Sequence, residues 1–497
     1  MRNAYTVEAI RRAEADLRAR LPDGTLMQRA AAGLAAVVLR LLQESRGVYG
    51  ARVVLLVGVG DNGGDALYAG ALLQRRGVSV RAVLVDPARA HHDGLQALLA
   101  AGGRAMAAVA DVAGNVDNIG DHDALPPAPD LSAADLILDG LTGIGGKGGL
   151  RGAAAVLAAA AADSGAPVVA VDLPSGIDAD TGEVTGPAVN AAVTVVFGGY
   201  KPGLFLEPGA GHAGVLEFVD IGLAPHLTAE PAAESLQRAD LAALLPVPGR
   251  DVDKYRRGVV GVACGSAKYP GAGLLAVGGA LHSGVGAVRY LGPADVTAVH
   301  PEVMLGEGRV QAWVAGCGLD RDAPGSAEIL DRLLALTDVP LLIDAEGLAL
   351  LDQARLARVG ERRAPTVLTP HAGEAAALLG RDRAGIEARP LAAVHDLVGR
   401  TGATVLLKGP TTVIAGPGRS PVRVNPTGTA ALATAGSGDV LAGLCGGLLA
   451  AGLDPVDAAS AGAYLHGLAG RIAARRGPVS AGDLIPSLRA AWHNSAQ

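Results

Sequence analysis

Short apolar runs that end in Gly or Asp, each followed by a helix-forming segment, recur along the chain. In the first half these are RVVLLVG (from Arg52), VSVRAVLVD (from Val78), DLILD (from Asp135), PVVAVD (from Pro167) and VTVVF (from Val193). They are continuously apolar rather than alternating, which marks strands buried on both faces. The pattern therefore predicts a parallel sheet with helices on each side. The opening MRNAYTVEAIRRAEADLRARL mixes charges through a helical period and predicts helices ahead of the first strand. GDHDALPPAPDLSAAD (from Gly120) breaks every period and predicts an exposed loop. Between about Gly222 and Asp253 the pattern weakens into a polar, Pro-containing connection. Fresh strand candidates follow: GVVGVAC, QAWVAGC, VPLLIDA, PTVLT and ATVLLKG. The two series do not repeat each other, so the chain reads as two different α/β domains, 1–225 and 226–497.

Composition narrows this picture. With 71 glycines and only 3% aromatic residues, the layers must pack through small side chains that let helices sit close on sheets. The net charge of −7 is interspersed, and the best basic cluster, KYRRG at Lys254 to Gly258, is too short for a nucleic-acid face. Cys264, Cys317 and Cys445 stand far apart without metal spacing, and disulfides are not expected. The N-terminal segment lacks the apolar core of a signal peptide, and Gly, Pro or charge interrupts each apolar run before it reads as a membrane span. The expectation is a soluble cytoplasmic protein with no nucleic-acid or membrane partner.

Candidate chemistry sits at the strand ends. GVGDNGGDALYAG (Gly58 to Gly70) follows a strand and opens a helix. Gly58, Gly60 and Gly63 satisfy G-x-G-x-x-G, and Asp86 ends the next strand at the offset of a ribose-binding acid, which keeps a dinucleotide-dependent dehydrogenase open. Asn62 and Asp65 put polar groups where a pyrophosphate favours bare backbone. LILDGLTGIGGKGGLRG leaves Asp139 at a second strand end, and VAVDLPSGIDADTGEV leaves Asp172 and Ser175 at a third. Carboxyl ends of neighbouring strands share one crevice, where Asn62, Asp139 and Ser175 could supply hard oxygen ligands for a cation and leave Asp172 for acid–base work; the alternative is that these residues cap helices and satisfy turns.

The loops G-V-G-D-N-G-G-D-A, D-G-L-T-G-I-G and D-L-P-S-G-I-D-A-D-T-G, with LMQRAA at Leu26, resemble the NAD(P)H-hydrate epimerases up to about Asp220. The resemblance implies a Rossmann-like doubly wound domain and a potassium ion held by Asn62, Asp139 and Ser175. It also implies substrate contacts from Asp61, Asn62, Gly63, Gly64, Asp65 and Ala66, from Thr142, Gly143, Ile144, Gly145, Gly146, Lys147 and Gly148, and from Asp172. Three departures stand out: Asp61 replaces the family's Asn, Ala66 replaces a Gly, and DGLTGIG replaces D-A-L-F-G-T-G.

In the second half, TPHAGE brings His371 and Glu374 to a helix start and LLKGPTT brings Lys408, Gly409 and Thr412 past a strand. NPTGTAALATAGSGD delivers Asn425, Gly428, Thr429 and then Asp439. A lysine, hydroxyls, glycines and a helix start make a cradle for a nucleotide phosphate chain, and Glu374 can organise magnesium through water. The G-S-G-D turn is similar to that of the ribokinase-like family, where the Asp activates a hydroxyl for phosphoryl transfer. Together with YPGAGLLAVGGALHSGVGAVRYL (from Tyr269) and PEVM (from Pro301), these segments resemble the ADP-dependent (S)-NAD(P)H-hydrate dehydratases over about Lys254 to His466. The resemblance implies a ribokinase-like α/β domain, in which Ala272, Gly318, His371 and Asp439 meet the hydrated substrate. Lys408, Gly409, Pro410, Thr411, Thr412 and Gly438 would meet ADP or ATP with Mg²⁺. GCG at Gly316 to Gly318 stands where G-P-G is usual, and DAEGLA from Asp344 replaces D-A-D-A-L-N.

In this order the two halves are similar to the bifunctional nicotinamide-nucleotide repair enzymes, whose substrates are NAD(P)H hydrates and adenine nucleotide and which form homo-oligomers. A ribokinase-like small-molecule kinase, a dehydrogenase using the Gly58 loop, and a non-catalytic nucleotide-binding first domain remain the alternatives.

Overall fold

The computed structural model describes residues 1–108, 129–418 and 421–496; most of the exposed loop expected from Gly120 lies outside them. The chain forms two compact units, Ala4–Pro231 and Ala232–Gln497, the latter joined by Met1–Asn3.

In the first unit seven parallel strands run in the order Arg104–Ala107, Ser79–Leu84, Arg52–Val57, Leu136–Gly140, Val168–Val171, Val193–Phe197, Val215–Val219. The five runs read from the sequence are its five inner strands. The two edge strands, RAMA and VLEFV, are partly exposed and lack a long apolar run. Strand order reverses between Arg52–Val57 and Leu136–Gly140, and the crevice at such a switch point is where doubly wound sheets bind ligands.

The helix Thr25–Ser45 corrects one sequence expectation. Its 21 residues and mean hydropathy of 1.4 are enough to cross a membrane by length and composition. Here it is a core helix: Leu34, Val38 and Leu42 are buried in the cluster that includes Leu55 and Val195. Arg29 donates to the Ile221 carbonyl at 2.9 Å and Arg40 pairs with Glu217 at 2.8 Å, so both arginines along the helix are used within the unit.

The second unit carries a mixed eleven-stranded sheet that includes Arg2–Ala4 at one edge. Its parallel centre runs Thr404–Leu407, Thr366–Leu368, Leu341–Ile343, Ala312–Ala315, Val259–Ala263, Ala287–Tyr290. Thr412–Ala415 runs antiparallel to both its neighbours, Thr404–Leu407 and Val422–Asn425, and Val422–Asn425 pairs parallel with Ala233–Ser235 on its other side. Order reverses between Val259–Ala263 and Ala312–Ala315, and the helices Pro270–Leu281 and Ser437–Ala450 pack beside that point. They approach backbone to backbone: a Cβ on Gly279 would collide with the Val440 carbonyl, and one on Gly443 with the Ala276 carbonyl. That contact is where the small-residue composition is spent.

Candidate active sites

In the first unit the helix Asp61–Arg75 begins directly behind Gly60, and its first turn is buried at Asn62 through Ala66. Glycine is required at two places in this turn, because a side chain at Gly58 would overlap the Leu141 carbonyl and one at Gly63 would press on the Gly58 carbonyl. The Asn62 amide nitrogen donates to the Val171 carbonyl and, at 3.3 Å, to that of Thr142. Asp139 is 0% exposed. It accepts from the Ser175 N–H at 2.8 Å, the Ser175 hydroxyl at 2.6 Å and the Leu141 N–H at 3.2 Å. Burial pushes its carboxyl up and these neutral donors pull it back; among the described residues no basic side chain pairs with it.

Asp172 sits at φ +67°, a left-handed conformation rare outside glycine. It accepts from the Phe197 N–H at 2.9 Å and from the ammonium of Lys201, which is 0% exposed. Lys201 was missed in the sequence because the GGYKPG loop carries no periodic signal. Asp65 is 6% exposed, and its Oδ1 has no hydrogen-bond partner. Burial first, then the charges of Asp172, Asp61 and Glu14, hold its carboxyl well above the usual range. Asp61 lies outside this interior: it is exposed, 3.9 Å from Arg18, which also pairs with Glu14 at 3.0 Å.

The Gly-rich loop divides. Gly143 packs against the Asn62 amide, and Gly146 lies against Thr142. Ile144, Gly145, Gly146 and Lys147 line a cavity of about 300 Å³ with Arg11 and Asp178 to Asp180. Lys147 is exposed and makes no ion pair among the described residues, Gly148 takes φ +82°, Gly64 packs against His91, and Ala66 closes against Gly140.

In the second unit the helix Ser437–Ala450 starts behind Gly436 at φ +86°, with Gly438 and Asp439 in its first turn. His466, whose pKa burial lowers to about 4, holds that turn through Nε2 to the Ser437 carbonyl at 2.9 Å. Gly438 lies directly over the Lys408 ammonium and the Asp344 carboxylate. Lys408 donates to Asp344 at 2.7 Å and lies 3.8 Å from Glu374. Burial opposes its charge, but the two carboxylates outweigh burial and raise its pKa. The Thr369 hydroxyl also donates to Asp344, at 2.8 Å. Donor atoms of Cys317, Asp344 and Asp439 all lie within 4.8 Å of one another. Burial, then the charge of Asp344, pushes Asp439 up to about 7, while Cys317 and Lys408 pull the other way.

Gly318 takes φ +64° and packs on Ala272 and the Tyr269 carbonyl, which brings both beside Cys317. His371 is first of all a helix cap: its Nδ1 accepts from Gly373 and Glu374 N–H at 3.0 and 3.1 Å, and Glu374 accepts the His371 N–H at 2.7 Å. The neutral ring therefore carries its proton on Nε2, 3.5 Å from the Glu374 carboxylate. Burial raises the Glu374 carboxyl. Gly409, Pro410 and Thr411 form the hairpin between Thr404–Leu407 and the strand that begins at Thr412. Gly428 closes on the Pro410 carbonyl, while Arg471 clamps the neighbouring loop through the carbonyls of Pro426, Thr427 and Gly428. A cavity of about 460 Å³ lies beside His371 and Glu374, walled by Leu348, Leu351, Leu356 and Leu378 with Arg321 and Arg400 at its edges. Asp344 ends its strand as Asp139 and Asp172 end theirs, so the same signal marked it although no role was assigned to it.

Residues 23–203 match the family described as YjeF-related protein N-terminus, and residues 260–489 match the NAD(P)H-hydrate dehydratase family. A bifunctional NAD(P)H-hydrate repair enzyme of Mycobacterium leprae is 47% identical over 508 residues, covering 99% of each chain. That of Mycobacterium tuberculosis (strain H37Rv) is 48% identical over 473 residues, 93% of this chain and 92% of its own. The crystal structure of an ADP/ATP-dependent NAD(P)H-hydrate dehydratase from Bacillus subtilis, co-crystallised with ATP/Mg²⁺, is 27% identical with a TM-score of 0.48, covering 52% of this chain and 97% of that one. With near-complete coverage at such identity and both domain families matched in order, this chain belongs to the bifunctional NAD(P)H-hydrate repair enzymes.

Proposed function

We propose that Asp439 is the base of the dehydratase and Asp172 the central proton-handling group of the epimerase, with ADP or ATP as phosphoryl donor. The observation that carries this reading is the Asp439 cluster: a carboxyl raised to about 7, at a glycine-lined helix start, against Asp344, Lys408 and Cys317. A base poised near the working pH takes a hydroxyl proton efficiently. As the C6 hydroxyl of the S hydrate attacks the terminal phosphorus, its proton passes to Asp439, a P–O bond forms, and the bond to AMP or ADP breaks. The N–H groups around Gly436 to Gly438 favour the phosphate charge. The original C6–O bond of the phosphate ester then breaks with the ring-nitrogen lone pair pushing, phosphate leaves, and loss of a C5 proton restores the double bond.

Asp344, Asp439 and Glu374 give hard carboxylate oxygens of the kind that hold magnesium through water, and the ion would neutralise phosphate charge there. In the first unit Asn62, Asp139 and Ser175 fit potassium. Asp139 is a wholly buried carboxylate with only neutral donors, the Ser175 hydroxyl offers a further oxygen, and a half-turn of the Asn62 amide presents Oδ1. The ion would supply the missing positive charge and fix the three loops.

The test is recovery of dihydronicotinamide absorbance from a mixed R and S hydrate preparation with ADP or ATP and Mg²⁺. Recovery of both fractions faster than spontaneous epimerisation, abolished by Asp439→Asn, is expected. A stable phosphorylated hydrate would instead make the second unit a kinase.

A further inference from the structure

We propose that Asp65 is a second catalytic carboxyl of the epimerase, giving a proton to the departing C6 hydroxyl while Asp172 takes one from the incoming water. This rests on the epimerase reading above and extends it. Asp65 is the fifth residue of the helix Asp61–Arg75, which follows the strand Arg52–Val57, and Asp172 follows the strand Val168–Val171; Leu136–Gly140 lies between those two strands. At about 4.8 Å per strand the two strand ends stand roughly 10 Å apart, so the segments that follow them approach one crevice from either side of Leu136–Gly140. The two environments differ in kind. Asp172 is already an acceptor for Lys201 and the Phe197 N–H. Asp65 has a buried Oδ1 with no partner, a costly arrangement in a folded interior unless something else meets that atom.

The charged groups facing Asp65 are Asp61 on its own helix, Glu14 and Arg18 on the helix Val7–Arg18, and Asp172 with Lys201 behind it. Burial first, then the charges of Asp172, Asp61 and Glu14 against that of Arg18, raise the Asp65 carboxyl and so favour its protonated form. Pairs of carboxyls whose surroundings drive them apart in this way divide acid and base roles.

The steps balance. The Asp65 proton goes to the hydroxyl oxygen, the C6–O bond breaks, and the ring nitrogen lone pair forms the iminium as water leaves. A second water adds at C6 from the other face and gives its proton to Asp172. A proton then returns from Asp172 to Asp65, and the opposite direction uses the same groups in reverse.

The experiment uses the full chain and compares wild type with Asp65→Asn and Asp65→Glu. It follows R-to-S conversion across pH, with dehydration of pure S hydrate as the control for an intact chain. Expected are a loss of roughly 10²-fold or more in epimerisation for Asp65→Asn and no alkaline limb in what remains. Asp65→Glu should keep the limb, and an infrared band of a protonated carboxyl should be missing from Asp65→Asn alone. Wild-type epimerisation in Asp65→Asn, or a slowed rate that keeps the wild-type pH limb, overturns the proposal. Wild type that dehydrates S hydrate but never converts R hydrate overturns the epimerase reading together with it.

Discussion

Asp172 holds φ near +67°, a conformation that costs an ordinary residue about 1–3 kcal/mol, and it is the partner of a fully buried lysine. Removing one member of a buried ion pair strands the other at about 3–5 kcal/mol. Asp172→Ala should therefore lose epimerisation and also lower the denaturant midpoint of the Ala4–Pro231 unit by that order. Asn tolerates the left-handed region and Met fills the lysine's volume, so Asp172→Asn with Lys201→Met should recover most of the stability and none of the epimerisation. Equal midpoints for the single Ala variant and wild type would show that the pair does not bear on folding. Asp439 gives a prediction with the opposite pH sign from an acid. It works deprotonated, so dehydration of S hydrate should rise with pH through about 7 and level off above it. Asp439→Asn should cost about 10²- to 10⁴-fold. Asp344→Asn removes the largest nearby negative charge and should move the remaining acid limb to lower pH.

At the scale of elements, the inner strands were legible because a strand buried on both faces must be apolar throughout. Strands away from the sheet centres were not: AVRY and VRVN alternate apolar with polar residues, the edge strand VLEFV stands half-exposed, and the strand after Lys408 was hidden because a hairpin loop runs straight into it. The sites were legible for a related reason, since Asp139, Asp172 and Asp344 each interrupt an apolar run where the strand meets the crevice. Lys201 and the unpartnered oxygen of Asp65 depend on packing across distant segments, which a single chain pattern does not encode. Packing also governs the helix pair that carries Asp439. A methyl group on Gly443 would overlap the Ala276 carbonyl of the facing helix. Gly443→Ala should gain helix propensity yet lose about 1–3 kcal/mol net through overpacking. Because the separation moves Asp439 away from Ala272 and Gly318, kcat should fall more than KM rises, which steady-state kinetics on S hydrate will read.

For the whole molecule, the two units set opposite demands on protons. The dehydratase, with Asp439 as its proposed base, needs that carboxyl without its proton, so it fails as pH falls below about 7. The epimerase, with Asp65 as donor, needs a carboxyl that keeps its proton, so it fails as pH rises through that group's elevated value. Repair starting from S hydrate passes through the second unit alone and should show only the acid limb. Repair starting from R hydrate passes through both units and should be bell-shaped. The alkaline limb of that bell should disappear in Asp65→Asn, where the slow residual epimerisation sets the rate at every pH. Asp61 adds negative charge near Asp65, so Asp61→Asn should shift the alkaline limb downward while leaving the S-hydrate profile in place. Salt should shrink that shift, because Asp61 is exposed and its field is screened over about a Debye length. Identical profiles from R and S hydrate at every pH would mean that epimerisation never limits repair, and the division of labour argued from these carboxyls would then have no kinetic consequence.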